Sequence, residues 1–298
     1  MRDWPALRFL AIILATVFWD AAAVLQKKAV GRLPAGRPRL TALFTSPLWM
    51  AGLVVSFAGW GLYVFGLDRV PVSAARTITG GGYVVLALFS LLFLRTPLRA
   101  QEWIAVALVS AGIVILGIVE PVSPGASPGS AVSPAWVLVG IAGIGAASAA
   151  LYLVHRAQGT RQRRLLSPLM VFAAVSGLLS SVGDLMVKIL LSFLPGSAGR
   201  APGFPAIAAC GAGLVGFYMA GFYMLSRAYQ VGSVVGAMVI SDFFIRVGAI
   251  FLGALVLAEA LGATGGAGAL RAAGFLLVLG GSLLLGRFGA LAPGGQRA

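Results

Sequence analysis

The chain has 298 residues, 59% of them hydrophobic and 10% charged, with a formal net charge of +14 and a mean hydropathy of +0.98. A soluble domain carries about 25% charged residues, so this composition excludes a water-coated globule and fits an outer surface that faces lipid. The basic residues are dispersed between apolar runs, which argues against a nucleic-acid partner, and the lone Cys210 excludes an intrachain disulfide.

The apolar runs are about 15–28 residues long and apolar almost all round. A membrane β-barrel needs roughly ten-residue alternating segments instead. Continuous helices satisfy their own backbone groups where no water is present. The predicted fold is therefore all-α: a polytopic transmembrane bundle of nine helices.

The first predicted helix, Leu7–Gln26, is interrupted by Asp20. It reads as a retained helix, because Asp20, Gln26, Lys27 and Lys28 follow its start without a small-residue cleavage site. A basic loop with Lys27, Lys28, Arg32, Arg37 and Arg39 comes next, broken by Pro34 and Pro38. The second helix, Pro47–Leu67, has Gly52, Ser56, Gly59 and Gly61 for close packing. Asp68 and Arg69 turn the chain, and Pro71 opens a third helix that ends near Leu94 and contains Arg76. Its Gly80-Gly81-Gly82 run costs about 1 kcal/mol per glycine relative to alanine, which calls for a close backbone contact or a local break. The fourth helix, Trp103–Val119, follows Glu102, whose charge suits a helix N-terminus.

A Pro/Ser/Gly-rich loop, Pro121–Pro134, leads to a fifth helix, Ala135–Val154. His155 and the basic loop of Arg156, Arg161, Arg163 and Arg164 follow. The sixth helix, Pro168–Phe193, carries Asp184 and Lys188. The seventh is Pro205–Arg227, and the eighth, Val231–Ala258, carries Asp242 and Arg246 and ends near Glu259. The ninth is Leu270–Leu285.

The order of runs in Trp49–Gly117 recurs about 161 residues later, with Ala51-Gly52-Leu53-Val54 matching Ala212-Gly213-Leu214-Val215. The offset pairs Val70 with Val231 and Lys27 with Lys188, and one added residue pairs Gly112 with Gly274. Residues 1–119 and 161–298 form two four-helix repeats, and 120–160 holds the connecting fifth helix. Fourteen Lys and Arg lie on the side of the C-terminus and five on the other, which predicts a cytoplasmic C-terminus and an outer N-terminus in a cell (inner) membrane. Under that count the repeats are inverted, a common basis for alternating access in secondary transporters.

Ionisable groups at bilayer depth cost several kcal/mol unless paired or wetted. Asp184 with Lys188, and Asp242 with Arg246, are each four apart with the acid first, the favourable order for a helical pair. Each pair reads either as mutual neutralisation or as a cavity wall that contacts substrate or a coupling ion. Asp20 has no such partner on its own helix; it pairs across helices or takes up a proton. Arg76 either snorkels to the interface or faces the cavity. Trp60, Tyr63, Tyr218, Tyr223 and Tyr229 are candidates to line a cavity, and interface anchoring explains them equally well. The chain lacks a GxxxxGK[ST] loop, an HExxH motif and a Cys/His cluster, and no serine has a His/Asp constellation. The reading is a non-enzymatic membrane protein with no cofactor or bound metal. Its partners are the bilayer and a small-molecule or ion substrate, and a homodimer is compatible with it.

Phe18-Trp19-Asp20 leading to Lys27, the turns at Tyr63–Ala74 and Ala228–Val235, and Glu259 after Leu252–Leu257 resemble the repeats of the drug/metabolite transporter superfamily, of the EamA-like permease type. The first repeat departs from that pattern, with Arg95-Thr96-Pro97-Leu98 where the acid is expected. The shortened nine-helix form, with Gln26-Lys27-Lys28 after the first helix, is similar to the NIPA-type magnesium-transporter-like branch. The resemblance implies a permease for a small organic solute, metabolite or drug coupled to a proton or solute gradient. Divalent-cation transport is the alternative, and a channel or a non-transporting scaffold stands behind both.

Overall fold

The computed structural model describes residues 4–33, 40–67, 72–95, 98–119, 133–157, 166–191, 204–256 and 266–288. These form ten α-helices: α1 (Trp4–Gly31), α2 (Leu40–Phe44), α3 (Pro47–Leu67), α4 (Val72–Leu94), α5 (Ala100–Val119), α6 (Pro134–Ala157), α7 (Pro168–Leu191), α8 (Phe204–Val231), α9 (Val234–Val256) and α10 (Gly266–Phe288). The nine long helices match the nine predicted runs. Helix α2 is an added five-residue turn in the loop before α3. Eight helices are long and apolar enough to cross a membrane, and α4 contributes a shorter apolar stretch, Gly82–Leu94. The protein is a polytopic, multi-pass helical membrane protein. Helix α1 runs past Gln26 to Gly31, so Lys27 and Lys28 lie on the helix rather than in a loop. Glu259 and the Asp68–Pro71 turn lie outside the described residues.

Helix starts follow local chemistry. The hydroxyls of Ser46, Ser167 and Ser233 accept from the N–H groups of Trp49, Met170 and Gly236 at 3.4, 3.2 and 3.1 Å, capping α3, α7 and α9. Pro47 and Pro168 occupy the first helical position, where a missing donor costs little. Glu102 reaches back to the N–H of Arg99 at 2.8 Å, so its role is to cap α5.

The chain divides into two compact units: Met1–Val122 with Tyr229–Val239 and Ala263–Ala298, and Ser123–Ala228 with Ile240–Gly262. In the first unit, α3 lies antiparallel on α1 along a glycine stripe. A methyl added at Gly52, Gly59 or Gly66 would lie 3.1 Å from the carbonyl oxygen of Ala22, Ala15 or Arg8. Both sets recur every seven residues, which keeps one stripe of each helix facing the other. Gly82 packs α4 on α1, where a methyl would run into Thr16. That contact offsets part of the cost of the triple glycine.

Helices α5 and α10 touch through Gly112 and Gly274. A methyl on Gly112 would come 2.7 Å from the Gly274 carbonyl oxygen and 2.7 Å from Val278; one on Gly274 would come 3.1 Å from the Gly112 carbonyl oxygen and 2.9 Å from Leu116. Gly281, further along α10, meets Ala105 and Val109, earlier on α5, so the two helices run antiparallel. The repeat offset that pairs Gly112 with Gly274 also pairs Leu116 with Val278. Residues that the offset pairs therefore meet with reciprocal contacts on antiparallel helices.

In the second unit, Ile144, Leu178, Val182, Leu185, Met186, Ile189, Leu252 and Val256 form a core. Gly221 on α8 sits over the Ser176 carbonyl of α7, one residue from where the offset carries Gly59 over Ala15. Ser176 donates to the Gly221 carbonyl at 2.8 Å and accepts from Ser241 at 3.3 Å, tying α7 to α8 and α9.

These contacts make a direct prediction. Gly112→Val forces α5 and α10 apart and lowers stability by about 1–3 kcal/mol, the usual cost of overpacking. Gly61, which has nothing within 4 Å of an added methyl, tolerates alanine with a neutral or favourable effect of up to about 1 kcal/mol. Thermal unfolding of both variants in detergent checks the contrast.

Candidate functional site

Asp20 lies two-thirds of the way along α1 and is 5% exposed. It stands one turn above Thr16, on the face that α4 covers at Gly82. The Thr16 hydroxyl donates to the Ile12 carbonyl at 3.0 Å and is therefore spent on its own helix. Gly82 keeps the space in front of the carboxyl open, since a methyl there would sit 3.6 Å from Asp20 Oδ2. That oxygen is buried and has no hydrogen-bond partner among the described residues.

Tyr229, near the end of α8 and inside the first unit, is 1% exposed. Its hydroxyl likewise has no partner among the described residues, as is true of Gln26 Nε2, Ser110, Ser148, Gln230 Nε2 and Ser282. Asp20 and Tyr229 thus come from distant parts of the sequence, lie in the same unit and each keep one buried polar atom without a partner among the described residues.

Lys27, two turns beyond Asp20, fixes the backbone around Tyr229. Its ammonium donates to the Tyr229 carbonyl and to the Gly232 carbonyl, the latter at 2.8 Å. The last carbonyls of a helix have no partner within it and carry partial negative charge, so a cation there is favourable on both counts. Gln26 is also buried, and its Nε2 is unpartnered among the described residues.

The other predicted residues fall elsewhere. Asp184 accepts a hydrogen bond from the Tyr218 hydroxyl, which joins α7 to α8; Lys188 is exposed on α7. Arg246 Nε lies 2.8 Å from Asp242 Oδ2, forming the expected i,i+4 pair on α9. Trp60 is 51% exposed on the outside of α3. Tyr63 packs its ring on Trp19 at 5.3 Å between centroids, and Trp19 Nε1 donates to the Ser56 carbonyl at 3.2 Å. Tyr223 is half-buried on α8. The Arg76 side chain lies outside the described residues. Of the predicted set, Asp20 and Tyr229 both lie buried in the first unit. Sequence reasoning did not assign a role to Lys27, Gln26 or the Tyr218–Asp184 bond. The one available signal was a lysine placed where the apolar helix continues.

No family model and no solved structure matches the chain. Three curated proteins match parts of it. It is 27% identical over 108 residues to "Probable magnesium transporter NIPA9" of Arabidopsis thaliana, covering 35% of this chain and 31% of that protein. The chain thus spans under a third of the plant relative's length. It is 29% identical over 107 residues to "Probable 4-amino-4-deoxy-L-arabinose-phosphoundecaprenol flippase subunit ArnE" of Pseudomonas fluorescens, covering 36% of this chain and 93% of that protein. It is 35% identical over 78 residues to "Uncharacterized protein y4nH" of Sinorhizobium fredii, covering 26% of this chain and 67% of that protein. The chain belongs to the family of y4nH, and its likeness to a transporter and a flippase subunit supports a place among multi-pass membrane transport proteins.

Proposed function

We propose that this chain is a secondary transporter of the drug/metabolite transporter superfamily. It moves a small organic solute, metabolite or drug by alternating access, coupled to a proton or solute gradient. The repeats are residues 1–119 and 161–298, linked through 120–160, with the N-terminus outside and the C-terminus in the cytoplasm.

The observation that carries this reading is the Asp20 carboxyl, 5% exposed, with one oxygen unpartnered among the described residues. A carboxyl at bilayer depth persists where an occupant offsets its cost, and intramembrane ionisable groups mark substrate or ion pathways by default. The remaining spanning acids differ. Asp184 is held by Tyr218 and Asp242 by Arg246, so they serve the second unit's packing first.

A second reading, divalent-cation transport, is favoured by the partial likeness to NIPA9. Mg²⁺ takes octahedral oxygen ligands and keeps several waters. Among the described residues there is no group of three or more His, Cys, Asp or Glu that could hold a metal ion, so a transported Mg²⁺ would keep most of its waters.

In liposomes, Asp20→Asn is expected to reduce gradient-driven uptake by about tenfold or more, equivalent to about 1.4 kcal/mol. Its unfolding temperature stays near that of the parent. Asp242→Asn instead lowers the unfolding temperature. Full uptake by Asp20→Asn overturns the assignment.

The two cargo classes separate by thermal shift. A ligand at a hundred times its dissociation constant stabilises the folded state by about 2.7 kcal/mol. A member of an organic solute panel is expected to raise the unfolding temperature and Mg²⁺ alone to leave it unchanged; the reverse outcome selects the divalent-cation reading.

A further inference from the structure

We infer that Arg227, lying over the Phe172 ring, binds the phosphate of an anionic phospholipid at the end of the second unit where α6 and α8 finish and α7 begins. Three elements converge there. The Arg227 Cζ stands 4.3 Å from the centroid of the Phe172 ring, and the His155 ring meets the same phenyl edge-on at 5.4 Å between centroids. Phe172 is buried in the second turn of α7. His155 is two residues from the end of α6, and the half-buried Arg227 is four residues from the end of α8. The exposed Arg156 adds a further positive charge next to His155.

A guanidinium held over a ring is held through its face, which leaves the N–H donors in its plane available. No described residue accepts from those donors, and no described carboxylate pairs with Arg227. The two described acids of this unit are engaged elsewhere, Asp184 with Tyr218 and Asp242 with Arg246. A planar donor fork of fixed orientation matches the oxygens of a phosphate, which it binds bidentately. Depth selects a lipid phosphate. Helix α8 has 28 residues and is about 42 Å long, against a hydrocarbon core of about 30 Å. With α8 centred in the bilayer, Arg227, about 6 Å from its end, falls at the boundary between hydrocarbon and headgroups. This is the end that the Lys and Arg count predicts to be cytoplasmic, the leaflet that carries anionic lipid. A choline headgroup brings its own cation toward Arg156 and Arg227 and is disfavoured by like charge.

Native mass spectrometry of the full-length protein in detergent counts bound lipid, with phosphatidylglycerol and phosphatidylcholine of the same acyl chains as probes. The parent is expected to prefer phosphatidylglycerol. Arg227→Gln is expected to lose about tenfold in phosphatidylglycerol affinity, the scale of one hydrogen-bonded contact to a charged group. Arg287→Gln removes the same charge from α10, where Arg287 lies 5.6 Å from the centroid of the Phe288 ring, and is expected to bind as the parent does. Equal binding of the two lipids by the parent, parental binding by Arg227→Gln, or an equal loss in Arg287→Gln overturns the inference. Displacement of phosphatidylglycerol by excess inorganic phosphate also overturns it, because it marks a site for a free anion. Should Arg227→Gln not accumulate, Arg227→Lys takes its place: it keeps the charge and loses the planar fork, so a several-fold loss is expected and parental binding overturns the inference. The measurement needs no transport, so its outcome is independent of the reading of Asp20.

Discussion

Helices immersed in lipid have no hydrophobic reason to touch one another, because the tails around them are as apolar as their own side chains. What holds this fold together is therefore close approach, and close approach requires the absence of side chains. Gly52, Gly59 and Gly66 bring α3 down onto the carbonyls of α1 at three levels, and Gly112 with Gly274 does the same for α5 and α10. Van der Waals contact is weak per atom pair and strong only in number. Every added methyl at these places removes many contacts at once. Glycine is a poor helix former in water, and here its cost in propensity is exchanged for contact area.

Polar groups are distributed by the same economy. Where the chain needs a hydroxyl or charge for packing, it satisfies that group locally or with a neighbour: Ser176 between Gly221 and Ser241, Tyr218 on Asp184, Arg246 on Asp242. Lys27 follows the rule in a less common way, with backbone carbonyls rather than a carboxylate as acceptors. Asp20 and Tyr229 each keep a buried polar atom without a partner among the described residues, as do Gln26, Ser110, Ser148, Gln230 and Ser282; among these Asp20 is the one carboxyl, the group whose burial at bilayer depth costs most.

The helices were legible because each is a long apolar run closed by a strong local signal. Ser-Pro at 46–47 and 167–168 starts two of them in the sequence and in three dimensions alike. The first helix was misjudged at its end for a physical reason. Lys27 and Lys28 read as loop residues by charge, whereas both lie on the helix, and the Lys27 ammonium finds carbonyls 202 and 205 residues away. No local spacing encodes such a contact. Asp184 illustrates the same limit: its i,i+4 lysine is visible in the sequence, but the tyrosine that bonds it comes from the next helix. Asp20 and Tyr229 were each picked out singly, by charge at depth and by ring and hydroxyl, and only the fold puts both in one unit.

The expected duplication finds more echo in packing than in chemistry. The offset read from the sequence carries Gly59 over Ala15 to the neighbourhood of Gly221 over Ser176, and it pairs Gly112 with Gly274 face to face. The same offset carries Asp20 to Ser181, whose hydroxyl donates to the Leu178 carbonyl of its own helix at 2.7 Å, and Lys27 to Lys188, which is exposed. A polar site at bilayer depth costs several kcal/mol each time it is built. On the proposed carrier reading, one such site serves as well as two, because repeats that exchange their tilts around a single occupant need the occupant only once. That reading makes the matched glycine contacts the part that moves and the unmatched Asp20 the part that tells cargo or coupling ion apart from lipid.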